Sequence, residues 1–348
     1  MHGSALEPRS AAPAPIVVSV LIKALNEERH IERSVRSALK AISASGRPGE
    51  VILADSLSTD ATVDIASRFP IRIVQLVSAQ DRCCGVGAQL GFQIAQGEFI
   101  YILDGDMELE ADFLPEALRV LEADPMLAGV AGLVQEMHVE NIAFRNRAVR
   151  SGTTRPGNNL PSLDMGGLYR RLAIQEAGYL TDRNLHAFEE FELGARLNVG
   201  GWRLRRLDLP SVRHYGHTDT SFALLWRRWR SRYAFGHGEL LRGAFLRPHL
   251  WFVLTRLRVY RLQLGLLAAW LLALLAAWLS PAQWSTLVVL IGMGYGLALS
   301  VMSLRKRSLQ VALYSLLSWH VGLAGLLRGL LVPRRADPSA PLPYRVLQ

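Results

Sequence analysis

Two aspartates stand one residue apart in "YILDGDMELE", residues 101–110, where an apolar run ends. Asp104 and Asp106 at that spacing suit two readings. One is a solvated turn ahead of a helix. The other is a clamp for a divalent cation holding a phosphate-bearing substrate, since Mg²⁺ or Mn²⁺ is held by one or two carboxylates with positions left for phosphate oxygens. Gly105 between them lets backbone and ligand approach closely. Polar groups close other apolar runs in the same way: Asn26-Glu27 after the first and Asp55 after the second. Three strand ends that each offer an acid point to a shared site.

The elements that would position these groups alternate strand and helix. "IVVSVLI", "EVILAD", "IRIVQL" and "EFIYILD" are short, continuously apolar runs, and read as buried strands. Between them, "EERHIERSVRSALKAI" places Ile31, Val35, Ala38 and Leu39 on one helical face. "TDATVDIASRF" reads as a second helix capped by Thr59 or Asp60, and "GVGAQLGFQIAQG" as a third that ends at Gly97. This order implies an α/β fold with a mostly parallel central sheet covered on both faces, and ligands bind beyond the carboxyl ends of such strands. From Leu133 the pattern weakens. "RNRAVRSGTTRPGNNLPSLDMGG" is polar and rich in glycine and arginine, as a mobile loop over a site would be. A helix around "FEEFELGARLNVG" and a short strand before "VRHYGHTDTS" follow.

Charge and hydropathy divide the chain. The net charge is +9 and the mean hydropathy is positive. Thirteen arginines lie from Arg203 to Arg261 against Asp208, Asp219 and Glu239, and no acid occurs from Leu240 through Ala336. A basic stretch that runs into apolar segments suits the anionic cytoplasmic face of a membrane, whereas a nucleic-acid partner would leave those segments unexplained. No charged residue falls between Leu262 and Leu304, and Ser280-Pro281 divides that run into two lengths near a bilayer core. Arg305-Lys306-Arg307 then mark the inner side. "AFLRPHLWFVLTRLRVYRL" alternates arginine with apolar residues as an interfacial helix does. Residues 308–332 are long enough to span, yet carry His320 and Arg328. The expected organisation is a disordered tail (1–15), a catalytic domain (16–240), an amphipathic interfacial helix (241–261), membrane helices (262–332, two spans with the third segment open) and a tail (333–348). The first apolar run stops at Lys23, too short for a signal peptide, so the first domain is expected in the cytoplasm. Cys83 and Cys84 are adjacent, a poor geometry for a disulfide.

The ordered set "VSVLIKALNEE", "VILADSLSTDAT", "GEFIYILDGDM", "MGGLYRR", "AFEEFELGARL" and "VRHYGH" resembles a family 2 glycosyltransferase with the GT-A fold, over residues 16 to 240. The C-terminal helices resemble the membrane anchors of many bacterial members. The resemblance implies that Asp106 ligates Mn²⁺ or Mg²⁺ directly, with Asp104 on the ribose or a metal-bound water and His214 as a third ligand, His217 being its competitor. It implies nucleotide contacts from Asn26, Glu27, Asp55 and Arg82, and a donor-sugar wall from Gly166-Gly167; the alternatives are a cap on the following helix for Asn26 or Glu27, and a plain turn for the glycine pair. Glu28 reads as a helix cap, and Asp60 with Thr59 and Thr62 likewise. "GAQLG" departs from the family by placing Gln89-Leu90 where Arg-Asn often stands. "FEEFEL" resembles the family's acidic motif, which makes Glu190 the base that takes the acceptor's proton, with Glu189 beside it. Glu192 is expected to pair with Arg196 on a solvated face. "LWRRWRSRYAFG" resembles the Gln-x-x-Arg-Trp signature of processive synthases at Arg228-Trp229, with Leu225 at the glutamine position. The competing reading is a basic-aromatic helix at the membrane surface, with Trp226 and Trp229 at headgroup level.

These expectations describe a metal-dependent inverting glycosyltransferase that moves a sugar from a nucleotide-sugar to a lipid-linked acceptor in glycan or glycolipid synthesis. A processive polysaccharide synthase and an inactive scaffold of a polysaccharide assembly complex are the alternatives. No nucleic-acid partner is expected, and a homo-oligomer stays open.

Overall fold

A computed structural model describes residues 15–138, 142–143, 145, 155–216, 219–279 and 284–348. Residues 1–14 of the expected tail, most of the basic loop before Arg155, His217 and the Ser280-Pro281 divider lie outside the described residues. The chain opens with β1 (Val18–Ala24), α1 (Ile31–Ser45), β2 (Gly49–Asp55), α2 (Thr62–Ala66), β3 (Arg72–Leu76), α3 (Cys84–Ile94) and β4 (Phe99–Asp104). β5 (Met107–Leu109), α4 (Phe113–Ala123), β6 (Leu127–Glu136), β7 (Gly157–Asn158), β8 (Gly167–Arg170), α5 (Arg171–Glu176), α6 (Glu189–Val199) and β9 (Arg203–His214) follow.

The four apolar runs form the parallel block β3-β2-β1-β4, as their continuous burial requires. Val18, Val20 and Ile22 of β1 enter one core with α1 and α4, while Leu21 enters the other with α3. Each such fully buried aliphatic side chain contributes about 1.5–3 kcal/mol. Beyond β4 the sheet turns mixed. β8 lies antiparallel between β4 and β6, and β9 runs parallel to β6 and antiparallel to β5. Parallel pairing is thus confined largely to the half whose strands are legible as apolar runs. Register aligns the strand ends, with Lys23 opposite Asp104, Ala24 opposite Asp55, and His214 opposite both Met107 and Glu136.

The C-terminal part comprises α7 (Ser221–Arg230), α8 (Gly236–Ala244), α9 (Leu250–Arg256), α10 (Val259–Leu279), α11 (Trp284–Lys306), α12 (Leu309–Leu331) and β10 (Tyr344–Val346). The single interfacial helix expected over 241–261 is instead broken into the end of α8, α9 and the start of α10. The first break holds Leu246 at φ 59° and Pro248, which has no N–H to continue a helix. α10, α11 and α12 are each long and apolar enough to cross a membrane. α12, the segment left open by its histidine, is one continuous helix. His320 is fully partnered there, with Nε2 2.6 Å from Tyr295 Oη and Nδ1 2.8 Å from the Leu316 carbonyl.

α12 also packs on the catalytic domain, and glycines permit the approach. A Cβ at Gly238 would run into the Leu326 carbonyl oxygen, and one at Gly325 or Gly329 into those of Ala234 and Phe235. The segment expected as a plain tail returns from α12 and adds β10 antiparallel to β3, which covers the outer strand of the sheet.

Candidate active site

The aligned strand ends open into a cleft of about 790 Å³. Asp104, Gly105 and Asp106 form its floor. Gly105 is needed because a Cβ there would stand 2.9 Å from Glu27 Cγ, so the glycine brings Glu27 against the aspartates. Burial, then Asp106 and Asp104, push the Glu27 carboxyl up to about 8. Asp104 is likewise raised, by burial against the opposing pull of Lys23. The floor thus gathers carboxyls whose burial and mutual repulsion oppose their full ionisation.

His214 stands at the end of β9 with Nε2 3.3 Å from Asp106 Oδ2 and Nδ1 2.7 Å from Glu136 Oε2. Burial opposes its charge, but the hydrogen bonds to Asp106 and Glu136 outweigh it and raise the imidazole to about 9. An imidazole whose Nδ1 is fixed by a carboxylate, with Nε2 facing a second one, has the outer-sphere support usual for a metal ligand. Among the described residues no three His, Cys, Asp or Glu side chains form a closed metal cage. Asp104 is engaged by Lys23 at 3.0 Å, which leaves Asp106 and His214 as the convergent pair. The donor set fits Mn²⁺ or Mg²⁺, which takes few protein ligands and completes its shell with phosphate and water.

Across the cleft, Glu189 and Glu190 open α6, where the helix N-terminus favours carboxylates. Phe188 at φ 68° turns the chain into that helix. Glu189 Oε1 is 2.9 Å from Lys23 Nζ and Glu190 Oε1 is 4.0 Å from it. Glu190 Oε2 is buried without a hydrogen-bond partner. Burial pushes the Glu190 carboxyl up to about 8, aided by Asp104 and Glu189 and opposed by Lys23. A carboxylate poised near neutral pH with an idle oxygen is what a general base requires.

Other expected residues are placed differently. Asp55 is fully buried and does not line the cleft; its carboxylate accepts from Ser58 N and Oγ and from Gln75 Nε2 at 2.9 Å. Asn26 ties the β1 and β2 loops together, its Oδ1 accepting from Thr59 N at 2.8 Å. Arg82 does line the cleft, but its guanidinium donates to the Ser56 and Leu57 carbonyls. Gly166 and Gly167 shape the wall from behind, and Asp164 and Met165 face the cavity. Gly166 adopts φ 93°, and a Cβ at Gly167 would stand 2.7 Å from Leu163 Cδ1. Asp60 caps through Thr62 as expected, whereas Glu28 accepts from Ala61 N at the start of α2 rather than capping α1. Glu192 and Arg196 pair at 2.8 Å, but buried rather than solvated, because Arg196 also satisfies the Ala177, Tyr179 and Leu180 carbonyls. Gln89, at the departure from the family pattern, accepts from Leu180 N and Thr181 N inside the fold.

Sequence reasoning missed Lys23, Glu136 and the outer wall. Lys23 had a signal, a lone cation inside an apolar strand. The outer wall includes Phe188, Phe191, Tyr233 and Leu257, the last two residues ahead of α10. Trp226 at the α7 surface is 62% exposed, and Arg228 lies over the Tyr233 ring at 5.2 Å.

An α/β sheet with acids at its strand ends, a helix opening on an acid pair opposite and apolar helices behind has the architecture of a GT-A glycosyltransferase. The chain matches the family model of glycosyl transferase family 2 over residues 19–166 and that of glycosyl transferase family group 2 over residues 99–324. It belongs to glycosyltransferase family 2. Among relatives, it is 26% identical over 137 residues to an undecaprenyl-phosphate 4-deoxy-4-formamido-L-arabinose transferase of Edwardsiella ictaluri, covering 38% of this chain and 41% of that one. The aligned stretch thus spans well under half of the relative's length. The fold is shared with a mannosyltransferase from Pyrobaculum calidifontis in complex with GDP-Man and Mn²⁺ (TM-score 0.58, 19% identity, covering 93% of this chain and 91% of that one). It is shared also with S. aureus TarS 1-349 in complex with UDP-GlcNAc (TM-score 0.50, 16% identity, 69% and 74% covered).

Proposed function

We propose that this glycosyltransferase transfers a sugar, with inversion, from a nucleotide-sugar to a lipid-linked acceptor at the cytoplasmic face of a bacterial inner membrane. One observation carries the reading. The acidic floor and the Glu189-Glu190 pair face each other across one cleft whose outer wall leads directly into α10. A donor diphosphate on the floor and an acceptor arriving from the membrane then meet between them.

Asp106 and His214, with Asp104 beside them, would hold Mn²⁺ or Mg²⁺, which when bound neutralises charge on the departing diphosphate. As the acceptor oxygen attacks the anomeric carbon from the side opposite the leaving diphosphate, Glu190 takes the proton that oxygen carries, from a sugar hydroxyl of a glycolipid or from the P–OH of a phosphate monoester. Phe188, Phe191 and Leu257 exclude water from that path, which limits donor hydrolysis. The relative's undecaprenyl-phosphate acceptor supports a polyprenyl phosphate or related lipid here, and the basic residues Arg256, Arg258 and Arg261 at the α9–α10 junction suit an anionic headgroup.

The test is a thermal-shift panel of nucleotide diphosphates and nucleotide-sugars with Mn²⁺, followed by product analysis with labelled donor and polyprenyl phosphate. Metal-dependent stabilisation by one nucleotide and a single sugar added to lipid are expected. No stabilisation by any nucleotide diphosphate defeats the reading, and long polymeric products would assign a processive synthase instead.

A further inference from the structure

Lys23 lies in β1 between Ile22 and Ala24, and its side chain is only 14% exposed. Strand alternation places it on the face of Leu21, which α3 covers. The stem fits there because of a glycine: a Cβ at Gly87 would stand 2.6 Å from Lys23 Cβ. One turn later, a Cβ at Gly91 would stand 3.3 Å from Leu21 Cδ2. The glycines of "GVGAQLG" thus form a slot for the lysine. Its ammonium emerges at the sheet edge 3.0 Å from Asp104 Oδ1, 2.9 Å from Glu189 Oε1 and 4.0 Å from Glu190 Oε1.

One cation therefore stands among three carboxylates drawn from β4 and α6. The other groups acting on Glu190 are Asp164 from the loop before β8, Arg206 from β9, and the phenols Tyr101 and Tyr169. Arg206 is committed to the Gly132 and Leu163 carbonyls, which leaves Lys23, among the described residues, as the cation in ion-pair reach of the acid pair. Buried carboxylates this close do not all stay ionised near neutral pH without a counter-charge.

We propose that Lys23 is a positioning residue for the transfer reaction: its ammonium ties Asp104 on the donor side to Glu189 on the acceptor side. In doing so it fixes the adjacent Glu190 carboxylate with one oxygen free to accept a proton. The inference rests on the transfer reading above and adds to it a residue that the acidic motifs do not contain.

The decisive variant is Lys23→Met, which keeps the stem and removes the charge, compared with wild type as full-length protein in nanodiscs. Donor turnover is followed from pH 6 to 10. The rising limb of the variant is expected to move up by about one pH unit or more, because Glu190 loses its nearest cation. Lys23→Met/Glu189→Gln removes one carboxylate along with the ammonium and moves the limb back toward wild type. Thermal unfolding over the same range needs no turnover. There Lys23→Met loses stability relative to wild type as pH rises, and the double variant recovers it. A Lys23→Met protein that does not fold, and that Glu189→Gln does not restore, overturns the inference. So do a wild-type limb and a wild-type unfolding profile in Lys23→Met, with the transfer reading left standing. A wild type without transfer or donor hydrolysis rejects the transfer reading, and the unfolding series still decides the charge role of Lys23.

Discussion

Glu190→Gln separates the base role from a structural one, because the two leave opposite traces. The carboxyl is moved by burial from an ordinary 4.5 to about 8. At 1.36 kcal/mol per unit, that shift of roughly 3.5 units sets an upper bound of about 5 kcal/mol on the cost of ionising Glu190 in the folded protein. The value of about 8 already includes the opposing pull of Lys23. A folded pKa above the unfolded one favours the folded state while the group is protonated. That contribution is full below about 4.5 and is lost as pH rises through about 8. The glutamine variant has no such loss. Its melting temperature relative to wild type should therefore climb between pH 5 and 8 and level off above 9. Turnover should move the other way. Wild-type rate rises tenfold per unit toward pH 8, whereas Glu190→Gln falls by about 10²–10⁴-fold and loses that dependence. Differential scanning fluorimetry and labelled-donor turnover on the same preparations measure both. A variant with wild-type turnover refutes the base assignment. A melting difference that is flat with pH refutes the electrostatic argument beneath it.

Asp106→Ala should abolish the Mn²⁺-dependent part of nucleotide stabilisation in the thermal-shift assay, because it removes one of the two convergent donors on the floor. Gly329→Val should destabilise the protein by about 1–3 kcal/mol or more and lower its melting temperature in detergent, since the new side chain meets the Phe235 carbonyl. Burial pushes the Cys83 thiol up to about 12, so its alkylation by iodoacetamide at pH 8 should be on the order of 10³-fold slower than that of a free thiol, as read by mass spectrometry.

The legible part of this protein is the part where one local pattern decides the outcome. Four continuous apolar runs are best buried as parallel strands covered on both faces, and that pattern alone sets Asp104 at a strand end with Asp106 just beyond it. Glu190 at the start of a helix and His214 at the end of a strand are legible in the same way, from their flanking elements. Asp55 shows what that logic does not reach: its place at a strand end is legible, but the partners of its carboxylate, Ser58 and Gln75, are not. Lys23 was passed over because an apolar run is read for its apolar members, and its partners lie 81 and 166 residues away. β10 was illegible for a similar reason. Three residues become a strand only because β3 offers an open edge, a tertiary fact that no local window contains. The broken segment at 241–261 shows the reverse error, in which an alternating pattern outweighed Pro248.

The apolar C-terminal helices also bear on the candidate site. α12 packs against α8, and Glu239 of α8 holds His186 through both ring and backbone, at 2.8 Å to Nδ1 and 3.0 Å to the N–H. Beyond α12, Arg334 reaches Asp182 at 2.5 Å, Asn184 donates to the Ala336 carbonyl at 2.9 Å, and Leu342 N donates to Gln93 at 2.6 Å. Apart from the Leu342 bond, which ends on α3, these contacts end on residues 182–186, the segment that feeds Phe188 and then Glu189-Glu190. The acids of the floor are fixed by the sheet alone, which any truncated catalytic domain would retain. The acid pair opposite is held from the sheet by Lys23, and the segment before it by Glu239 of α8 and by the strap that returns beyond α12. A fragment ending before α10 would therefore keep the floor's carboxylates and Glu239, but lose the strap and the α12 packing on α8 that brace the segment leading to Glu189-Glu190. Such a fragment should retain nucleotide binding far better than turnover.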